Sequence, residues 1–158
     1  MKLERLGEFR VVTLRELSIQ SEPATTPDQV VSYFRNNIEK TDPRHNPDVE
    51  TLFCLVLSTR RKILGHFIVA TGLLDSVISH PREVFRSAIV ANAAAIILIH
   101  NHPSGDPSPS EADIKVTRDL IRAGQLLKIE VLDHVIAGQK TETNKGFCSL
   151  RELGYFYA

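Results

Sequence analysis

The stretch from residue 93 to residue 113 constrains the fold of this chain more than any other part of the sequence. Residues 93–99 form a short apolar run, which leads directly into His-Asn-His-Pro-Ser-Gly-Asp at positions 100–106. Proline and serine continue as far as Ser110, where a helical pattern begins. We therefore expect a buried strand, a tight loop and a helix in close succession, with polar side chains at the junction.

Two histidines stand at the end of this predicted strand. His100 and His102 are two residues apart, so their side chains point to the same face. Imidazole nitrogen is a good zinc ligand, and Asp113, in the first turn of the next helix, offers a carboxylate. Three protein ligands leave the fourth zinc position open for water, which is typical of catalytic sites, and zinc lowers the pKa of that water to about 7. The spacing therefore suggests a catalytic zinc ion.

Each of these residues also has a purely structural explanation. A His-x-His pair can arise by chance in a chain with six histidines. Ser110 and Asp113 match the capping box that begins many helices, and this role alone is sufficient to explain Asp113. From the residues alone, both interpretations of Asp113 stay open.

The remaining sequence alternates between predicted strands and helices. A first helix begins at the capping pattern of Thr26, Pro27 and Gln29 and is expected to end near Lys40. Residues 51–58 and 63–70 resemble the two strands of a hairpin, and a helix follows Pro81. Further strands are expected at 9–14, 129–132 and 134–137. The pattern predicts an α/β domain with two or three layers around a mixed sheet.

Two further helices are expected towards the C-terminus. The helix that begins at Glu111 is expected to stop near Ala123, with Gly124 as its C-terminal glycine. The tail from Gly146 to Ala158 is expected to form a short helix that packs on the core.

Composition limits the classes of function. The chain has 158 residues, 42% of them hydrophobic, and its formal net charge is zero. This neutrality gives no support for binding nucleic acid mainly through its phosphates. The two distant cysteines and the charged N-terminus, which lacks an apolar segment, favour a cytoplasmic protein with no membrane span. The sequence also lacks His-Glu-x-x-His, Pro-Cys-x-x-Cys and nucleotide-binding glycine motifs.

The spacing of the polar residues resembles a known pattern. His-x-His, seven residues, Ser110, two residues and Asp113 match the JAMM metal-binding motif. The segments HPREVF at 80–85, AAAIILIHNHPSGDPSPSEAD at 93–113 and VLDHVI at 131–136 resemble the RadC family. The resemblance covers about residues 25–155 and implies a JAB/MPN fold, which is cytidine-deaminase-like, with a central mixed sheet flanked by helices. It divides the chain into an N-terminal extension, 1–24, and a RadC-like JAB/MPN domain, 25–158.

The resemblance also implies roles for individual residues. JAMM proteins are zinc hydrolases of peptide or isopeptide amide bonds, in which His100, His102 and Asp113 would be the zinc ligands. Ser110 would stabilise the oxyanion, and an upstream glutamate would accept a proton from the attacking water. Glu50, at the head of the strand 51–58, fits that place. Glu83 is the competitor, although its position in the first turn of a helix is explained by the helix dipole.

Other functions stay open at this point. The RadC name has a historical link to DNA repair, and shorter relatives resemble proteins encoded near anti-restriction genes, so an accessory role without peptidase activity is the alternative. Full-length RadC proteins carry an N-terminal helix-hairpin-helix domain, for which residues 1–24 are too few. A non-catalytic scaffold is a third possibility, although such scaffolds usually lose the metal ligands. His134, in VLDHVI, is expected to be a hydrogen-bonded histidine of the sheet. The substrate and the oligomeric state are not predicted.

Overall fold

The computed structural model describes residues 22–72 and 80–157. The strand expected at 9–14 and most of the predicted extension lie outside these ranges, so the domain boundary stays a prediction. The elements in chain order are α1 (Pro27–Phe34), a π-helical segment (Arg35–Glu39), β1 (Thr51–Leu57), β2 (Ile63–Thr71), α2 (Pro81–Val90), β3 (Ala95–Asn101), α3 (Glu111–Leu127), β4 (Glu130–Ala137) and β5 (Phe147–Ser149).

The strands form one mixed sheet in the order β2-β1-β3-β4-β5. β1 is antiparallel to both β2 and β3, β3 is parallel to β4, and β5 is antiparallel to β4. The connection from β3 to the parallel β4 runs through α3, as parallel pairing requires a crossover. The α/β class and the central mixed sheet are therefore confirmed.

Helices cover both faces of the sheet, so the domain has three layers. Alternate residues of the fully buried β1 belong to different cores: Phe53 packs with Phe34 of α1, whereas Cys54 packs with Phe85 of α2 and Leu120 of α3. β3 alternates in the same way, which explains why both strands are continuous apolar runs rather than alternating patterns. Among the described residues, no helix is both long and apolar enough to cross a lipid bilayer.

Two helix starts follow the predicted capping patterns. The Thr26 side chain accepts the N–H of Gln29, whose side chain reaches back to the Thr26 N–H. Ser110 and Asp113 form the equivalent capping box of α3. The first helix ends near Lys40 as expected, although its last segment is π-helical.

The prediction for Gly124 was wrong. α3 continues to Leu127 and ends at Lys128, which adopts the left-handed conformation with φ of 58°. Gly124 is buried inside the helix, where an added Cβ would lie 2.5 Å from the carbonyl oxygen of Ile129. This glycine therefore permits close packing of α3 on the following strand and does not terminate the helix.

Two further expectations need correction. Residues 130–137 form one strand rather than two, with an irregular register beside Ile96 and Ile97. The tail is not helical: Phe147–Ser149 forms β5, and residues 150–156 form turns. Pairing of Ser149 with Val135 fixes this segment to the sheet edge.

Candidate metal centre

The end of β3 directs His100 towards α3. Ile96 and Leu98 face the core beneath α2 and α3, and His100 continues the same face with no exposed surface. His102 follows just after the strand, and its N–H donates to the carbonyl of Ala137 at 2.9 Å. The pairing of this segment with β4 therefore continues one residue beyond the end of β3. The rings of His100 and His102 lie on the same side of the sheet.

The loop after His102 turns the chain back towards β3. Gly105 adopts a φ of 84°, its N–H donates to the His102 carbonyl and its own carbonyl accepts from Gln139 at 2.8 Å. His102 Nδ1 lies 2.7 Å from the carbonyl oxygen of Asp106. These contacts fix the orientation of the His102 ring, so that its Nε2 faces the end of β3.

Asp113, in the first turn of α3, uses one carboxylate both to cap the helix and to face the histidines. Its Oδ2 accepts the Ser110 N–H at 2.7 Å and the Ser110 hydroxyl at 2.8 Å. The carboxylate also lies near both imidazoles, with Oδ1 3.4 Å from His100 Nε2 and Oδ2 3.6 Å from His102 Nε2. The two interpretations of Asp113 are therefore not exclusive, because one side chain occupies both positions.

Asn101 positions Glu50 beside the histidines. The side chain of Asn101 points away from the imidazoles, accepts the Thr51 N–H at 3.0 Å and donates to the Val49 carbonyl at 3.1 Å. The Glu50 carbonyl in turn accepts the Gly72 N–H. Because β1 starts where the antiparallel β3 ends, with Leu52 opposite His100, Glu50 lies at the mouth of the cluster.

The structure brings Glu50, His100, His102 and Asp113 together, with one potential ligand atom from each lying within 4.8 Å of the others. The Nε2 atoms of the two histidines are 2.9 Å apart, and Glu50 Oε1 is 3.6 Å from His100 Nε2. The side chains of His100 and Asp113 are buried, whereas those of Glu50 and His102 are 17% and 15% exposed. The cluster therefore opens to solvent on the side of Glu50 and His102.

Burial and charge set the protonation of the cluster. Burial, together with the neighbouring His134, holds the pKa of His100 well below its ordinary value, so this imidazole is neutral. The neighbouring Asp113 carboxylate raises the pKa of His102, against the effect of burial. Burial alone would raise the pKa of Asp113, but His102, His100 and Ser110 outweigh it and lower that pKa. A negative carboxylate thus faces imidazole nitrogens at neutral pH.

The donor set fits a cation such as zinc. Two zinc–ligand bonds of about 2.0–2.1 Å span at most about 4.2 Å. The distances between His100 Nε2, His102 Nε2 and the Asp113 oxygens all fall within this span. The two imidazole nitrogens 2.9 Å apart and the two neighbouring carboxylates form a set of donor atoms that one cation can join. Nitrogen and oxygen donors of this kind are typical of zinc sites that keep an open position.

Glu83 and Ser110, the other two candidates from the sequence, lie outside the group of four side chains. Glu83 is outside it and forms ion pairs with Arg82 and Arg86, as the helix-dipole interpretation suggests. Ser110 lies beside the cluster, but its hydroxyl donates to Asp113. The metal-ligand and catalytic roles of the grouped residues stay predictions.

Three contributing residues were not assigned a site role from sequence. Asn101 holds the Glu50 segment, while His134 contacts His100 and Thr117 contacts the Asp113 carbonyl on the buried side of the cluster. Asn101 stands between the two histidines, so its position in the motif was visible. The contact between His100 and His134 spans 34 residues and follows only from the pairing of β3 with β4.

Comparison with known proteins identifies relatives. The UPF0758 protein TTE0897 of Caldanaerobacter subterraneus subsp. tengcongensis is 41% identical over 142 residues, which cover 89% of this chain and 56% of that protein. YsxA of Bacillus subtilis strain 168 is 48% identical over 106 residues, covering 67% and 44%. A UPF0758 protein of Moorella thermoacetica is 51% identical over 105 residues, covering 66% and 44%. The chain spans about half the length of the curated relatives it matches.

A protein-family model gives the same assignment over most of the chain. The model described as the RadC-like JAB domain matches residues 24–155, which include every member of the cluster. Together with the relatives at 41% to 51% identity, this match shows that the chain belongs to the RadC family and carries its JAB domain.

Proposed function

We propose that this chain is a zinc-dependent hydrolase of the JAMM type that cleaves a peptide or isopeptide amide bond. The observation that carries the proposal is the convergence of two imidazoles and two carboxylates at the solvent-facing end of β3. Membership of a JAB-domain family, whose members are often hydrolytic, supports the same conclusion. The names of the relatives state no activity.

His100, His102 and Asp113 are the proposed metal ligands. The side chains of His100 and Asp113 are buried, and hydrogen bonds fix the orientation of His102 and Asp113 before any ion binds. When bound, zinc would act as a Lewis acid towards the substrate carbonyl and would lower the pKa of water. A site formed by two histidines and one aspartate leaves room for both.

Glu50 is the proposed general base. It lies on the open side of the cluster, where a water molecule and a substrate can enter. As the water oxygen adds to the carbonyl carbon, Glu50 takes the proton that the water loses. The carbon–nitrogen bond then breaks, Glu50 returns the proton to the leaving nitrogen, and the products are a carboxylic acid and an amine.

Ser110 is proposed to stabilise the negative oxygen that forms during this addition. In the structure its hydroxyl donates to Asp113 Oδ2, so this role requires the hydroxyl to rotate towards the substrate. Removal of one such donor lowers turnover by about 10²–10³ in enzymes that depend on it.

Metal analysis and a peptide-amide library test the proposal together. We expect one zinc ion per chain in the wild type and in Glu50→Gln, with hydrolysis lowered by about 10²–10⁴ in that variant. Glu83→Gln is the matched control, because Glu83 is a partly exposed glutamate outside the cluster. Its activity should equal that of the wild type.

Two results would contradict the proposal. If the wild-type protein binds no zinc, the proposed metal centre is wrong. A Glu50→Gln variant that binds zinc and keeps full activity would remove the proton-transfer role of Glu50.

A further inference from the structure

The buried side of the cluster contains a hydrogen-bonded chain that reaches away from the proposed metal position. We infer that His134, held by Thr117, is a positioning residue that fixes His100 with its proton on Nδ1 and so directs the lone pair of Nε2 into the cluster. This inference rests on the proposed function, because it assigns the supporting residues of that metal centre.

The chain consists of three short contacts. His100 Nδ1 lies 2.8 Å from His134 Nε2, and His134 Nδ1 lies 2.6 Å from Thr117 Oγ1. The Thr117 hydroxyl lies 2.6 Å from the carbonyl oxygen of Asp113, to which it donates. His100, Thr117 and His134 are each at most 1% exposed, so water does not compete for these groups.

The direction of each hydrogen bond follows from the available hydrogens. The Asp113 carbonyl can only accept, so the single hydroxyl hydrogen of Thr117 goes to it. His134 Nδ1 must therefore donate to Thr117 Oγ1. A neutral His134 then presents Nε2 as an acceptor, and His100 Nδ1 must donate to it. Full burial disfavours the alternative, in which His134 is a cation.

The consequence appears at the other nitrogen of His100. With its proton on Nδ1, the neutral ring has a bare Nε2, which is the atom that faces His102, Asp113 and Glu50. Histidines that bind metals usually donate their other N–H to a fixed acceptor, which sets the tautomer and the ring orientation. Here a second imidazole supplies that acceptor. Thr117 contacts His134 and also donates to the backbone carbonyl of Asp113, so it links the residue that supports His100 to Asp113.

A second sheet histidine shows what a purely structural role looks like and provides a matched control. His66 in β2 bonds to Tyr33 and to Asp42, neither of which belongs to the cluster. Removal of its ring disturbs a hydrogen-bonded histidine of the same sheet without changing the support of His100.

Nitrogen NMR of the metal-free chain of residues 1–158, with ¹⁵N-labelled histidine, tests the tautomer directly. At neutral pH, we expect the hydrogen of His100 on Nδ1 and that of His134 on Nδ1 as well. A hydrogen on His100 Nε2 would overturn the inference. This measurement does not depend on zinc binding, so it decides the inference even if the proposed function fails.

Zinc affinity, measured by competition with a chromophoric chelator, tests the consequence. We expect His134→Phe to bind zinc about 10–100-fold more weakly than the wild type, which is the effect of losing a supporting hydrogen bond. His134→Gln should recover most of the affinity, because its side-chain oxygen can accept from His100. His66→Phe should match the wild type.

Thr117→Val provides a second test that keeps the shape of the side chain. It removes the acceptor of His134 Nδ1–H, and we expect weaker zinc binding together with a mixture of His100 tautomers. Wild-type affinity in both His134→Phe and Thr117→Val would overturn the inference. Equal losses in His134→Phe and His66→Phe would also overturn it, because they would indicate a general effect of perturbing the sheet.

Discussion

Substitution of Asp113 by asparagine separates two roles of this side chain, which caps α3 and also faces the histidines. The asparagine oxygen can still accept the Ser110 N–H, so the capping contact of α3 survives while the negative charge beside the histidines is lost. Loss of a complete N-terminal cap costs about 1 kcal/mol. The part of the free energy of unfolding that comes from the cap should therefore change by less than this amount in the metal-free variant.

Added zinc should distinguish the two proteins strongly. At a free zinc concentration of 100 times the wild-type Kd, binding stabilises the native state by about 2.7 kcal/mol. For a domain of this size, that corresponds to a rise in Tm of about 5–11 °C. If Asp113→Asn weakens zinc binding about 100-fold, the same zinc concentration adds only about 0.4 kcal/mol, or about 1 °C.

Thermal unfolding with and without zinc is the assay, and Asp119→Asn is the matched control. Asp119 lies on the same helix, but its side chain is about half exposed and forms an ion pair with Arg122. The control should keep the full zinc-dependent rise in Tm. A rise of wild-type size in Asp113→Asn would refute the assignment of its carboxylate to the cation site.

Three further predictions concern the fold. Gly124→Ala should lower the free energy of unfolding by about 1–3 kcal/mol, because the new Cβ meets the Ile129 carbonyl, and an unchanged urea midpoint would contradict this packing. Lys128→Gly should raise that free energy by about 1 kcal/mol, since it removes a left-handed non-glycine residue; a fall in the same urea measurement would contradict it. The Asp42 pKa is held below its ordinary value by hydrogen bonds, from Arg44 above all and also from His66. Its contribution is therefore complete above the unfolded pKa of about 3.9 and is lost as the pH falls further. Acid unfolding of Asp42→Asn should depend less steeply on pH in this range than that of the wild type, and equal slopes would argue against the shift.

The parts of the fold that were predicted correctly have strong local patterns. The capping box at Thr26 specifies where α1 begins, because its hydrogen bonds join residues only three positions apart. The buried strands β1 and β3 are apolar throughout, as expected for strands with helices on both faces. The grouping of His100, His102 and Asp113 was also visible, since only a short loop separates them.

The errors arose where one residue type serves two purposes. A glycine near the end of a helix can terminate it or can permit close packing, and only the proximity of Ile129 distinguishes these at Gly124. The three residues of β5 are too few to show a periodic pattern, so their pairing with Val135 could not be inferred. His134 was expected to be bonded within the sheet, but its partner depends on strand register, which the local sequence does not encode.

The antiparallel pairing of β1 and β3 has a consequence for how the site tolerates sequence change. Because one strand starts where the other ends, Glu50 and the His100 backbone are aligned by the sheet itself. Only Asp113 reaches the cluster across an irregular segment, residues 103–110. Insertions or deletions there would displace Asp113 and disturb the Asp106 contact that orients His102, while Glu50 and His100 would stay in place. The site should therefore be most sensitive to the length of that segment.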